Sequence, residues 1–160
     1  MLAYTISPLC TDPTGAALYL SVNKQTQDIV VWTKLPNNDP SQLWIPLQYV
    51  NNNGAQGVVL LNAMTNKIIA APNDAAAVTQ IPLDLQQMEE NRCSWNILDA
   101  RTGPATHWGA VQLNKNQKMN LNVEGGGPYP NGTRVLVWGW SVLPGANNQS
   151  WTFAPVLNNA

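Results

Sequence analysis

The feature that most constrains this chain is a tryptophan that closes three similar short segments, spaced about fifty residues apart. The three are Trp44, Trp95 and Trp151, separated by 51 residues (44 to 95) and 56 residues (95 to 151). A period of this length indicates a structural repeat whose single copy is too small to bury its own apolar face. We therefore predict one domain, residues 1–160, built from three packed copies. The copies lie near residues 1–50, 51–101 and 102–160.

The local pattern within each copy is typical of short strands. Apolar runs such as Ile29-Val30-Val31-Trp32 are short and β-branched, and turns rich in Asn, Gly and Pro bound them, as at residues 51–54 and 130–132. The 12 prolines and 11 glycines interrupt almost every window in which a helix would form. The sequence therefore predicts an all-β domain in which three copies close one barrel, with the repeated tryptophans buried beneath it.

Charge and composition exclude several classes of function. Only 11% of the residues are charged and the formal net charge is −1, so the chain lacks the basic surplus that binds a phosphate backbone. Polarity comes instead from 20 Asn and 11 Gln side chains, which both donate and accept hydrogen bonds. Together with 7 Trp, these amides favour neutral, polyhydroxylated ligands over nucleic acid.

The sequence contains no segment that resembles a membrane span or a signal peptide. The longest apolar stretches, such as residues 57–61, fall far short of the roughly 20 residues that a spanning helix needs. Residues 1–8 have neither a basic start nor a long apolar run. We therefore expect no membrane insertion, and a protein that is cytoplasmic or is released without a signal peptide.

Groups that could hold a metal or perform catalysis are few and isolated. Cys10 and Cys93 are too few for a disulfide framework and are expected to be reduced, partly buried thiols. With one histidine, His107, and no cysteine pair at ligand spacing, no metal or other cofactor is expected. Glu89 and Glu90 are adjacent, an arrangement more typical of a solvated loop than of an acid and base held at a fixed separation. The sequence therefore predicts that the protein is not an enzyme.

Two of the three tryptophan segments carry a Gln-x-Trp motif. These are Gln42-Leu43-Trp44 and Gln149-Ser150-Trp151, while the segment ending at Trp95 retains only the tryptophan. A Gln-x-Trp motif that recurs about every fifty residues resembles the ricin-B-like, or R-type, lectins. The resemblance covers nearly the whole chain and implies a β-trefoil, with a six-stranded barrel and a cap of three hairpins. It also implies binding to terminal galactose or N-acetylgalactosamine on glycoproteins or glycolipids, and a defensive role.

The third repeat is the copy most similar to a lectin site. Leu121-Asn122-Val123 stands where the family has Leu-Asp-Val, Trp138 stands at the aromatic platform, and Asn148-Gln149 precedes the tryptophan segment. The resemblance implies that Asn122, Asn148 and Gln149 bond sugar hydroxyls while Trp138 stacks on the ring. Asn122 replaces an acid, so the charge-assisted part of its hydrogen bond is lost. Tyr129 and Trp140 are candidates for a second aromatic wall, although ordinary surface or core packing is the commoner role for such residues.

The first repeat is a weaker candidate, and the second has lost its site. In the first, Trp32 and Gln42 match the family, but Ser21 holds the acidic position and Ser41 replaces the Asn; substitutes could come from Asn23, Asp28 or Asp39. Aligning Lys67 with Lys118 puts Ala71 at the acidic position of the second repeat. There Arg92-Cys93 replaces Asn-Gln, and residues 78–83 offer no aromatic platform.

Two other functions remain open at this point. A β-trefoil can act as a protease inhibitor through a protruding loop, for which residues 125–132 or 51–54 are candidates. The chain can also be a sugar-silent module that binds other proteins. A lectin with weak sites would gain avidity as a homodimer.

Overall fold

Twelve β-strands, one short helix and several 3-10 turns form the regular structure of the described residues, which are 2–90, 92–98, 109–140 and 146–157 of a computed structural model. All twelve strands belong to one sheet. Their bounds are β1 (Ala3–Pro8), β2 (Leu18–Val22), β3 (Ile29–Thr33), β4 (Trp44–Val50), β5 (Gln56–Asn62), β6 (Lys67–Ala70), β7 (Thr79–Pro82), β8 (Trp95–Leu98), β9 (Ala110–Leu113), β10 (Met119–Val123), β11 (Thr133–Gly139) and β12 (Trp151–Val156), with helix α1 (Leu85–Glu90) between β7 and β8.

Six antiparallel strands close a barrel. Going round it, β1 pairs with β4, β4 with β5, β5 with β8, β8 with β9, and β12 returns to β1. The remaining seam, between β9 and β12, is closed by Gly109 and Trp151, whose backbone N–H groups each donate to the other's carbonyl at 2.7 and 2.8 Å. Closure in this way leaves the barrel strands without a free edge.

Three hairpins cover one end of the barrel. They are β2–β3, β6–β7 and β10–β11, one from each group of four strands. β3 and β11 pair through Val31 with Thr133, and the N–H of Val78, just before β7, donates to the carbonyl of Val135 at 3.0 Å. A six-stranded barrel with a cap of three hairpins is the β-trefoil arrangement, so the predicted fold class is confirmed.

The three repeat tryptophans occupy equivalent places in the core. Trp44, Trp95 and Trp151 begin β4, β8 and β12, and each is at most 1% exposed. Each indole N–H donates to a backbone carbonyl on the second strand of its own unit. The acceptors are Leu20 at 2.8 Å, Ile69 at 3.3 Å and Leu121 at 2.9 Å. The side chain therefore fills the interior and also ties each hairpin to the barrel.

These hydrogen bonds correct the alignment of the second repeat. Leu20, Ile69 and Leu121 are structurally equivalent, so the residue opposite Asn122 is Ala70 and not Ala71. Lys67 begins β6 whereas β10 begins one residue after Lys118, so the two lysines are not equivalent. Lys67 and Lys118 are exposed and have no packing to fix their register, which is why matching them gave the wrong alignment.

Both thiols are free, and both are buried rather than only partly buried as the sequence suggested. Burial raises the pKa of the Cys10 thiol to about 12, so it stays protonated at neutral pH. The thiol of Cys93 lies 3.6 Å from the carbonyl oxygen of Met88 in α1, to which it donates. Within the described ranges, no helix is long and apolar enough to cross a membrane.

Replacing Trp44 by Ala should destabilise the fold severely. The change opens a cavity in the core and leaves the Leu20 carbonyl without its indole donor, so we expect a loss of about 3–5 kcal/mol in the free energy of unfolding. Chemical denaturation followed by tryptophan fluorescence measures it. The control is Trp138→Ala on an exposed side chain, expected to cost about 0.5 kcal/mol or less. Equal losses in the two variants would contradict the assignment of Trp44 to the core.

Candidate functional site

A pocket of about 450 Å³ lies between the β10–β11 hairpin and the turn that precedes β12. It contains four of the residues that the sequence predicted for the third repeat. Its lining residues are Asn122, Glu124, Gly125, Leu136, Trp138, Asn148 and Gln149. The structure therefore brings together residues that are up to 27 positions apart in the chain (122 to 149).

Trp138 forms the apolar wall of this pocket. Along β11 the side chains alternate, with Val135 and Val137 buried and Leu136 and Trp138 on the outer face. Trp138 is 53% exposed, which is unusual for so large an apolar side chain. A flat aromatic surface beside polar groups is the arrangement expected at a binding site rather than in a core.

Two asparagines form the polar wall, and backbone carbonyls fix their orientation. The side-chain Nδ2 of Asn148 donates to the carbonyl oxygens of Val123 at 3.0 Å and Gly125 at 3.2 Å. Because a carbonyl can only accept, Asn148 must present its NH₂ group to them. The same NH₂ lies 2.9 Å from Asn122 Oδ1, so Asn122 must in turn present its oxygen to Asn148.

One donor and one acceptor remain for a ligand. Among the described residues, Asn122 Nδ2 and Asn148 Oδ1 make no hydrogen bond, and both side chains line the pocket. Asn122 is 94% buried, so its orientation is held by its surroundings rather than by solvent. An aspartate at position 122 would accept from Asn148 and still offer a second acceptor. Asn122 offers a donor there instead, which reverses the polarity of this part of the wall.

The two motif glutamines are framework residues. Gln149 is 1% exposed and its Nε2 donates to the Gly139 carbonyl at 2.7 Å, at the end of β11. Gln42 donates to the Thr33 carbonyl at 3.0 Å, at the end of β3, and its Oε1 accepts from the N–H of Leu35 at 2.8 Å. Each glutamine thus links the end of the third strand of its own unit, β11 or β3, to the turn before the tryptophan. This geometry gives Gln149 a positioning role in the pocket, with little surface left for ligand contact.

A bidentate ion pair lies at the rim. Arg134 Nε and Nη2 donate to the two carboxylate oxygens of Glu124 at 2.8 and 2.7 Å. The hydrogen bonds from Arg134 hold the pKa of Glu124 below its ordinary value, so this lining residue is ionised at neutral pH. Sequence reasoning missed Glu124, although it follows β10 directly and its partner lies across the hairpin on β11.

Tyr129 and Trp140 do not line this pocket. The Tyr129 hydroxyl donates to the Gly125 carbonyl at 3.1 Å, and its ring packs against Gly127. Tyr129 therefore stabilises the loop that follows β10. Burial raises the pKa of its hydroxyl above the ordinary value. Trp140 is partly buried and lies next to residues 141–145, which are outside the described ranges. The second aromatic wall suggested by the sequence is therefore not formed by either residue in this pocket.

The first repeat has a smaller pocket of about 270 Å³, lined by Ser21, Asn23 and Trp32 among others. Ser21 is buried, and its hydroxyl donates to the Tyr19 carbonyl at 2.8 Å and accepts from Gln42 Nε2 at 3.0 Å. Asn23 Oδ1 accepts from the backbone N–H groups of the β2–β3 turn at 2.9 and 3.2 Å. The polar groups beside Trp32 are thus largely occupied within the protein.

Neither acid proposed as a substitute in the first repeat lines this pocket. Asp39 accepts hydrogen bonds from Ser41 and from Lys24. Burial tends to raise the pKa of Asp39, but these hydrogen bonds outweigh it and hold the pKa below its ordinary value. Asp28 is exposed and does not line the pocket.

The second repeat lacks the groups that build the pocket of the third. Ala70 stands opposite Asn122, and Ile81 pairs with Ile68 as Trp138 pairs with Asn120, so an aliphatic side chain replaces the aromatic wall. In the described ranges, no three His, Cys, Asp or Glu side chains gather as metal ligands would. His107 lies outside those ranges, as do the side chains of Glu89 and Glu90.

Comparison with known proteins identifies the fold through structure rather than sequence. No protein-family profile matches the chain, and no curated protein matches it by sequence. The structure is similar to a designed 3-fold symmetric protein, ThreeFoil (TM-score 0.67, 15% identity), over 96% of this chain and 99% of that one. It is similar to a ricin B-like lectin from Macrolepiota procera, solved with lactose (0.65, 18%), over 95% and 94%. It is also similar to the C-terminal half of an earthworm R-type lectin, solved with GalNAc (0.60, 14%), over 98% and 100%.

The structure thus matches ricin B-like and R-type β-trefoil lectins over nearly its whole length, as the Gln-x-Trp motifs predicted. Identities of 14–18% establish a shared fold and leave the ligand to be argued from the pocket.

Replacing Gln149 by Ala should lower stability, because it leaves the Gly139 carbonyl without its donor in a buried place. We expect a loss of about 1–3 kcal/mol in the free energy of unfolding, measured by urea denaturation. Gln48→Ala is the matched control, since Gln48 is exposed. A variant at position 149 as stable as the control would show that the glutamine is not a framework residue.

Proposed function

We propose that this protein is a non-enzymatic lectin whose main site is the pocket of the third repeat. The observation that carries the proposal is an exposed aromatic face, Trp138, beside an oriented pair of asparagines in a pocket of about 450 Å³. A pyranose has an apolar face of C–H groups and a rim of hydroxyls, so it requires this combination. Charged nucleophiles and metal ligands are not needed for such binding.

Each group has a distinct part in this proposal. Trp138 stacks on the apolar face of the sugar, Asn122 Nδ2 donates to a hydroxyl oxygen, and Asn148 Oδ1 accepts from a hydroxyl proton. Gln149 and the Gly125 backbone keep the polar wall in place. Since Asn148 is itself held by three acceptors, the polar wall is organised before the ligand arrives, which limits the entropy lost on binding.

Terminal galactose or N-acetylgalactosamine is the proposed ligand class. The lactose and GalNAc bound to the two similar lectins support this choice. Shallow binding through one stacked ring and a few hydrogen bonds gives weak affinity, with a Kd on the order of millimolar. The first-repeat pocket at Trp32 is a weaker second site, and a homodimer would add avidity on glycoproteins or glycolipids. A defensive role and a cytoplasmic location, or release without a signal peptide, remain part of the proposal.

Protease inhibition is less well supported, because the long loop of residues 125–132 is held against the body. Asn131 Oδ1 accepts from the N–H of Thr33 at 2.7 Å, and Asn131 Nδ2 donates to the Thr33 hydroxyl at 3.1 Å. Tyr129 anchors the other half of the loop through Gly125. The turn at residues 51–54 is exposed but tightly closed, since Asn51 Oδ1 accepts from the N–H groups of Asn53 and Ala55.

A glycan array tests the lectin proposal directly. Labelled wild-type protein should bind glycans that end in galactose or N-acetylgalactosamine, and Trp138→Ala should lose most of this binding while keeping its fold. The matched control is Trp32→Ala, which removes the corresponding aromatic residue of the first repeat and should retain most of the signal. If folded wild-type protein bound no glycan on the array, the inhibitor or the protein-interaction module would be favoured instead. Inhibition assays against a panel of proteases would separate those two.

Replacing Asn122 by Asp should strengthen binding to galactose. One carboxylate oxygen keeps the contact with Asn148, and the other offers a sugar hydroxyl a charge-assisted acceptor, so we expect roughly a tenfold lower Kd. Isothermal titration with galactose measures the change, and Asn73→Asp, on an exposed side chain outside the pocket, is the control. Unchanged or weaker binding would show that position 122 does not contact the sugar.

A further inference from the structure

A second pocket of about 280 Å³, away from both sugar pockets, lies beside the β4–β5 turn, α1 and the β9–β10 turn. It combines cations with hydrogen-bond donors. The residues that matter here are Asn51, Asn53, Arg92, Ser94, Asn114 and Lys115. None of them takes part in the proposed galactose site. The pocket occurs in the part of the chain where the Gln-x-Trp motif is lost, since Cys93 replaces its Gln and Arg92 replaces the Asn before it.

The charge of this pocket is positive. Arg92 and Lys115 are two of only eight basic residues in the chain, and the described lining residues include no carboxylate. Arg92 pairs through Nη2 with Asp74, which lies outside the lining, and Asp74 also accepts from Asn116 at 2.8 Å. Lys115 is exposed and forms no ion pair with a described residue. One positive charge is therefore left without compensation.

The polar groups of the pocket are held in place and keep hydrogen-bond donors that no described residue accepts from. Asn51 uses its Oδ1 to close the β4–β5 turn, which leaves its NH₂ for other partners. Ser94 Oγ accepts from Asn114 Nδ2 at 2.8 Å, which leaves its O–H proton for another acceptor. The buried Nε of Arg92 has no hydrogen-bond partner among the described residues. An acceptor-rich ligand is the chemical complement of such a set.

Close packing makes this arrangement rigid. Ser94 and Asn114 lie directly over Gly57 of β5, where a Cβ atom would overlap both side chains. Asn114 Nδ2 also donates to the Gln56 carbonyl at 3.1 Å, which fixes the side chain to the same strand. The donors are therefore positioned before any ligand binds.

We propose that this pocket binds an anionic oxygen group, a sulfate ester or a carboxylate, carried on a saccharide. Lys115 supplies the uncompensated charge, Arg92 supplies its unpaired Nε–H donor, and Asn51, Asn53 and Ser94 supply neutral hydrogen bonds. The saccharide part of the proposal rests on the proposed function, whereas the anion part depends only on this pocket. The chain would then bind acidic glycans at the second repeat and neutral galactose-type ends at the third.

Titration followed by ¹H–¹⁵N NMR tests the proposal. The probes are galactose 6-sulfate, galacturonate, sodium sulfate and uncharged galactose at equal ionic strength. We expect the sulfated or the carboxylated sugar to shift the amide signals of residues 51–55 and 114–115, with the two acidic probes distinguishing the two anions. Galactose should leave those signals unchanged and should shift the third-repeat pocket instead.

The variants separate specific binding from general electrostatics. Lys115→Gln should weaken binding of the better acidic probe about five- to tenfold, and Arg92→Lys should weaken it while keeping the charge. Lys118→Gln, an exposed lysine of the same turn outside the pocket, should leave the affinity unchanged. Equal effects at positions 115 and 118, or no shifts in residues 51–55, would overturn the proposal. Trp138→Ala should lose the galactose response and keep the anion binding, because Trp138 does not line this pocket. Anion binding by wild-type protein that gives no galactose response would contradict the galactose site alone.

Discussion

The fold depends on one interaction that occurs three times, the hydrogen bond from a buried indole N–H to a backbone carbonyl of the second strand. Trp44, Trp95 and Trp151 each make it at the start of a barrel strand. A large apolar side chain that also carries one donor can fill the core and satisfy a buried carbonyl together. The bond to Leu121 also places Asn122, the next residue, at the pocket, so the core interaction positions the candidate site.

The sequence was sufficient for the fold because its strongest signal, the tryptophan period, reports on that interaction. It was less reliable for register. Lys67 and Lys118 looked equivalent, yet only packing and hydrogen bonds set the register, and exposed lysines contribute neither. Burial also bears on the role of Gln149, whose contact with a sugar stays a prediction. A motif glutamine next to a site looks like a ligand contact in sequence, whereas its carbonyl partner on β11 is visible only in three dimensions.

The candidate site was likewise predicted from the sequence only in part. Trp138 was predictable, since the alternation along β11 puts it outside, and Asn148 was predictable from its place before the tryptophan segment. Glu124, Gly125 and Leu136 were not predicted, because they meet the pocket through the turn and the partner strand of the hairpin. The orientation of the Asn122 amide could not be predicted from the sequence at all. Which end of an amide faces outward depends on a chain of contacts that ends at two backbone carbonyls.

The pairing of β1 with β12 has a consequence for protein engineering. Ala3 pairs with Val156, at the opposite end of these strands from Trp151 and the hairpin cap. A short peptide linker could therefore join the two strands, and the backbone could be opened at the exposed turn of residues 51–54 to give a circular permutant with the same barrel. Cargo fused beside either strand would emerge at the base of the barrel. If the protein is attached to a sensor surface through the base of the barrel, every copy presents its hairpin cap to the solution.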